Sequence, residues 1–187
     1  VLRLSAARVS DLELLRGGCA MREVEVKALV MDPMQKMPVL LLRDPQSRKV
    51  VPVWIGHPEA TAIAMIMQNR DFPRPLTHDL VKVILKSLGG DLDMIVIDSI
   101  QDSTYFATLY VRDHTGKTHE IDARPSDSIA IALRIGSPIY ISDEVFQVAA
   151  VEMPAAEDEG DTSENSDRFR AFVEGEMKLA DFKKFVQ

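Results

Sequence analysis

Two short stretches set similar polar side chains at the head of an apolar run: 122-DARPSDSIAIALR-134 and 74-RPLTHDLVKVILKSL-88. Together with 56-GHPE-59 they gather His57, Glu59, Arg74, His78, Asp79, Asp122, Arg124, Ser126, Asp127 and Arg134 at turn–helix junctions. Hydrolysis of a phosphodiester asks for these residue types. Carboxylates hold a divalent cation, guanidinium groups neutralise the phosphoryl oxygens, and a histidine moves the proton of the attacking water. Asp79, Asp122, Asp127 and Glu59 are candidate ligands for Mg²⁺ or Mn²⁺, which prefer oxygen donors. His78 is the candidate acid or base. Arg74, Arg124 and Arg134 are the candidate phosphate-binding residues.

The spacing of these residues is not diagnostic, and each has a structural reading beside the catalytic one. The hydroxyls of Ser126 and Thr77 suit helix N-caps, where such a group typically stabilises by about 1 kcal/mol. Asp79 and Asp127 fall in first helical turns, where a carboxylate favours the dipole. Arg74 and Arg124 precede proline, which holds their backbones extended. Each can grip phosphate beside free helix N–H groups, or brace its turn by a salt bridge. Arg134 can pair with one of the acids. His57 suits a turn, Trp54 the core, and Met65 and Met67 the core or a dimer interface. Lys82 and Lys86 read as a solvated face. Phosphate-cradling glycine loops, a HExxH helix and a GxSxG elbow are all absent from the sequence.

The elements that must position these residues follow from periodicity. Strands are expected at 22–31, 37–43, 49–55, 93–101, 104–112, 117–122 and 138–141. Pro52 puts the third at an edge or a bulge. Helices are expected from Pro58 to 67, over 78–88 with Gly89-Gly90 as its stop, over 127–135, and after a capping Ser142. The run ATAIAMIM (60–67) is apolar on all sides, which predicts a buried helix. The order predicts an α+β fold: a mixed, largely antiparallel sheet packed with buried helices in one compact domain.

The chain has 187 residues, a formal net charge of −7 and one cysteine, Cys19. It can bury a core without disulfides, and it lacks the cysteines of a disulfide framework or a Cys-rich zinc site. The expected compartment is the cytoplasm, with no membrane span. The domain is expected over 21–151. Residues 1–20 read as a leader foreign to it, with Met21 the natural start. The segment 152–166, EMPAAEDEGDTSENS, reads as an acidic disordered linker. Residues 167–187 read as an amphipathic helical tail that docks on the body or on a protein partner.

The motifs 53-VWIGHPEATAIA-64, 74-RPLTHDL-80, 104-TYFATLYV-111, 121-IDARPSDSIAIALR-134 and 138-PIYISDEVF-146 resemble the bifunctional nuclease domain family of bacterial and plant proteins. The resemblance covers about 21–150. It implies a compact α+β fold, a homodimer, and nuclease activity on DNA and RNA without strong sequence preference. It assigns no catalytic set, so the candidate residues rest on their chemistry. Two functions remain in play: a non-specific, metal-assisted nuclease, and a non-catalytic dimeric regulatory or adaptor module. The acidic balance of the chain favours the second over tight nucleic-acid binding.

Overall fold

The computed structural model describes residues 20–32, 36–70, 73–102 and 104–152. The expectations for the leader, for nearly all of the acidic linker and for the tail lie outside these residues. The chain runs through β1 (Met21–Met31), β2 (Pro38–Arg43) and β3 (Lys49–Trp54) into α1 (His57–Met67), then α2 (Thr77–Ser87). A second run of three strands, β4 (Asp91–Gln101), β5 (Thr104–Arg112) and β6 (Thr118–Ala123), leads into α3 (Pro125–Ile135). β7 (Ile139–Ser142), α4 (Asp143–Ala149) and β8 (Val151–Glu152) complete the fold. The class is α+β, as the order of elements predicted.

The strands form one eight-stranded sheet in the order β6-β5-β4-β7-β1-β2-β3-β8. Every neighbouring pair is antiparallel except β4 and β7, which run parallel with Val96 opposite Tyr140. Bulges lie between Val26 and Ala28 on β1 and at two places on β4. Such insertions bend a strand and increase its twist. The sheet curls far enough that Tyr105 on β5 donates to the Pro52 carbonyl on β3 at 3.0 Å. β8 pairs β3 only at Lys49 and Val50. Pro52 therefore stands on an open edge, where its missing N–H leaves no ladder bond unmade.

One face of the sheet holds the main core. Ile95, Ile97, Ala107, Leu40 and Leu42 meet Ile63 of α1 and Ile129, Ala130 and Ala132 of α3. α3 is the central helix: seven of its residues, Pro125 to Ala132 without Asp127, are buried. Cutting Ile129 to alanine here would destabilise by about 2–5 kcal/mol. α1 buries Ala60, Ala62 and Ile63 but exposes Met67, so it is covered on one side rather than all round. α2 buries no residue fully. Trp54, expected in the core, is exposed because it alternates with buried Val51 and Val53 at the end of β3. Its indole donates to Asp32 at 3.0 Å.

Helix ends depart from expectation in two places. Ser142 caps α4 as predicted, accepting from the Val145 N–H. Pro125 at the first helical position starts α3 early, which makes Arg124 the cap residue and puts Ser126 inside the helix. α2 likewise begins at Thr77 with extended Leu76 as its cap residue. There a free N–H is met from inside the helix, by Asp79 Oδ2 accepting from Leu76 N–H at 3.0 Å. Gly136 closes α3 in the left-handed region at φ 84°, its N–H bonded to the Ala132 carbonyl at 2.8 Å. Among the described residues no helix is long and apolar enough to cross a membrane.

Candidate functional site

α3 packs against both α1 and α2. Extended Arg124, held by the proline that follows, stands at its head. The Arg124 guanidinium reaches two carboxylates from different elements. Its Nε and Nη2 lie 2.8 and 2.7 Å from Asp127 Oδ2. The same Nη2 lies 2.8 Å from Glu59 Oε1 in the first turn of α1. Asp127 and then Glu59 hold the guanidinium pKa above its ordinary value. Glu59 folds back over Gly56, where a Cβ would collide with its Oε2. Glycine at 56 therefore lets this carboxylate face Arg124.

The second oxygen of Asp127 takes a histidine. His78 Nε2 lies 3.0 Å from Asp127 Oδ1, joining the first turns of α2 and α3 across 49 positions of sequence. A carboxylate is an acceptor, so it selects the tautomer with hydrogen on Nε2 and leaves Nδ1 as the basic nitrogen. Glu59, Arg124, Asp127 and His78 thus form a chain of contacts across the heads of three helices. The Arg124 side chain is 67 % exposed, so its outer edge is open to a ligand.

The neighbouring residue in α2 makes a different contact. Asp79 Oδ1 accepts from Arg134 Nε at 2.5 Å. Arg134 also donates to the Ala130 carbonyl at 3.2 Å and the Ala62 carbonyl at 3.3 Å. Partial burial pushes the Asp79 carboxyl upward, but the Leu76 N–H and Arg134 outweigh it and leave the group below its usual range. Arg134, expected to bind phosphate, is a buried brace with its donors already engaged. Lys82 and Lys86, expected on a solvated face, donate to the Arg134 carbonyl and to Asp91.

Three residues of the group lie apart from this set. Asp122 stands opposite Thr108 on β6 and β5, while Ala123 and Ala107 beside them belong to the core. Side chains alternate along a strand, so Asp122 faces away from the helices. It cannot share a ligand with Asp79 or Asp127. Arg74 is exposed on the segment before α2 and has no ion-pair partner among the described residues. His57 is exposed, and its carbonyl accepts from Thr61 Oγ1 at 2.8 Å.

A resident Mg²⁺ or Mn²⁺ does not fit the side chains as they stand. Among the described residues no three His, Cys, Asp or Glu groups come together to hold a metal. Glu59, Asp79 and Asp127 each face a guanidinium in place of an ion. What the arrangement offers is a histidine–carboxylate pair beside an accessible cation. That combination suits proton transfer next to an anionic substrate.

Residues 40–154 match the sequence pattern of the bifunctional nuclease domain. An uncharacterized protein of Mycobacterium tuberculosis is 38 % identical over 167 residues, covering 87 % of this chain and 99 % of the relative. Bifunctional nuclease 2 of Oryza sativa subsp. japonica is 27 % identical over 129 residues, 64 % of this chain and 39 % of the relative. Bifunctional nuclease 2 of Arabidopsis thaliana is 26 % identical over 95 residues, 50 % of this chain and 29 % of the relative. The matched region thus spans less than half the length of either plant protein.

Proposed function

Because the chain belongs to the bifunctional nuclease domain family, we propose that it hydrolyses phosphodiester bonds of DNA and RNA at the heads of α1, α2 and α3. The observation that carries this reading is the 3.0 Å contact of His78 with Asp127, whose other oxygen holds exposed Arg124. Arg124 draws the phosphate in, and its fixed fork suits two phosphoryl oxygens. His78 Nδ1 takes a proton from the attacking water. The new P–O bond forms as the bond to the leaving oxygen breaks, and the proton passes to that oxygen. Asp127 holds the imidazole and stabilises it once charged. Glu59 and Asp127 set two carboxylates against one guanidinium, so the substrate must displace part of this pairing to bind. No step here passes through a metal. The Mg²⁺ or Mn²⁺ expected from the sequence is tested in the assay itself.

That assay is cleavage of labelled single-stranded RNA and DNA with Mg²⁺, with Mn²⁺ and with EDTA. Wild type is run beside folded His78→Ala and Asp127→Asn variants. Cleavage lost in both variants supports the site. Equal cleavage in all three proteins overturns it. One observation favours a second reading, a regulatory or adaptor module without catalysis: Glu59, Asp79 and Asp127 are all neutralised within the chain. Absence of cleavage under every condition would select that reading.

A further inference from the structure

The sheet buries side chains on both of its faces, but its helices join only one of them. Ile95 of β4, Leu109 of β5 and Ile139 of β7 belong to the main core with the helices. Met94, Val96, Tyr110 and Tyr140 alternate with core residues along the same strands and so face the other way. With Met21 of β1 they form a second cluster, and among the described residues no helix side chain joins it. Yet Tyr140 is 6 % exposed and the other three only 0–1 %. A side chain on a bare sheet face would be open to solvent. Burial this deep within a single chain requires a cover from the same chain.

We propose that the leader, residues 1–16, lies across this second face as a helix, with Val9, Leu12 and Leu15 on the Met94–Val96–Tyr110–Tyr140 cluster. Three observations select it as the occupant. The first is where the chain leaves the sheet. Met21 belongs to the cluster, and the Ala20 carbonyl before it accepts from the Asp143 N–H at 2.9 Å. The preceding residues therefore depart from the cluster's own edge, and Gly17-Gly18 lets the backbone turn over it. The C-terminal segment departs from β8, three places beyond β1 in the sheet. The second is the side-chain pattern. Val9, Leu12 and Leu15 recur three apart, which puts them on one side of a helix, and Arg8 and Arg16 stand one turn either side of Leu12. A helix of about sixteen residues spans roughly 24 Å, enough to cross the roughly 15 Å of four adjacent strands. The third is charge. Glu23 stands opposite Tyr140, Glu120 opposite Tyr110 and Asp122 opposite Thr108, and residues directly opposite share a face. Asp98 is there too, accepting from Thr108 at 2.7 Å. This acidic surround suits Arg8 and Arg16. It would repel nucleic acid and the same face of a second copy. The leader is then the outer cover of the domain and not foreign to it. This cover does not depend on the nuclease reading.

The test uses the full chain and its three tyrosines. Nitration followed by peptide mapping reads each of them separately. Tyr105, bonded to the Pro52 carbonyl on the core side, is the internal control. Tyr110 and Tyr140 are expected to resist nitration in wild type. Leu12→Glu with Leu15→Glu should abolish that protection and leave Tyr105 as in wild type. Phe182→Glu with Phe185→Glu, in the C-terminal segment, should leave all three tyrosines unchanged. Open Tyr110 and Tyr140 in wild type overturn the proposal. So does protection that survives the leader substitutions, that falls with the C-terminal pair instead, or that fades on dilution as a second copy would require. If the leader variant does not fold, a spin label decides. Ser10→Cys in a Cys19→Ser background puts the label on the side of the helix away from Leu12. It should broaden the amide signals of β4 and β7 far more than those of β3. Equal broadening of all three strands, or none, overturns the proposal.

Discussion

Arg134 Nε lies 2.5 Å from Asp79 Oδ1, tying the last turn of α3 to the first turn of α2. The arginine side chain is 5 % exposed, and its other donors bind carbonyls of α1 and α3. One guanidinium thus links three helices. Because Asp79 precedes α2's remaining turns and follows His78 directly, the same contact fixes where the imidazole stands relative to Asp127.

Removing this brace should loosen α2 first. Arg134→Ala leaves Asp79 without its charged partner and takes a second donor from two helix carbonyls, a loss of about 2–3 kcal/mol after allowing for Asp79's partial exposure. Amide hydrogen exchange should quicken along 77–87 well before it does along 125–135. Uniform quickening of both helices would show that α2 does not depend on Arg134.

The same pair predicts acid sensitivity. Asp79 titrates below its ordinary value in the folded chain, so it stabilises at pH above the unfolded value of about 4. That contribution falls away as pH drops through the lower folded value. Denaturant midpoints between pH 6 and pH 2 should fall less steeply in Asp79→Asn than in wild type. Parallel curves would remove Asp79 from the acid response.

His78→Gln keeps a polar side chain but cannot move a proton at neutral pH. Cleavage should drop by roughly 10²–10⁴, the usual range for losing an acid–base group. Arg124→Ala should act mainly on KM, through weaker hold on the phosphate. If His78→Gln changed only KM, the histidine would be a binding group and not a base.

Asp122 supplies the internal control. It faces away from α2 and α3, beside Thr108, so Asp122→Ala should leave cleavage rates within about twofold of wild type, since surface substitutions away from such features usually shift stability by no more than ~0.5 kcal/mol. A large loss in a folded Asp122→Ala protein would move the site to the other face of the sheet.

Most elements could be read from the sequence because their signals are local. Alternation marked the strands, Pro58 marked a helix start, and Gly89-Gly90 marked a stop. The parallel pairing of β4 with β7 could not be read, since no local pattern states which distant strand a short apolar run will join. The candidate residues were also visible by type, at the helix heads where dipole and proline preferences place them. Their partners were not. His78 finds Asp127 and Arg134 finds Asp79 through the packing of α2 on α3, a tertiary fact. Asp122 was grouped with Asp127 because they are close in sequence, but a strand and a helix lie on either side of Arg124 and aim them apart. Lys82 and Lys86 are exposed, as their helical spacing predicted, but spacing says nothing of the carbonyl and carboxylate they bond.

The place of β7 between β4 and β1 bears on how the chain reaches this structure. β1, β2 and β3 can pair among themselves early, and so can β4, β5 and β6, because each set is joined by short turns. In the ladder of the described residues the two sets are joined through β7, residues 139–142, which pairs one edge with β1 and the other with β4. During synthesis the first sheet half is thus complete about ninety residues before its seam arrives, a non-local closure of the kind that slows folding. Until then the exposed edge of β1 is an open strand, and a substitution that weakens β7 should raise aggregation more than it lowers equilibrium stability.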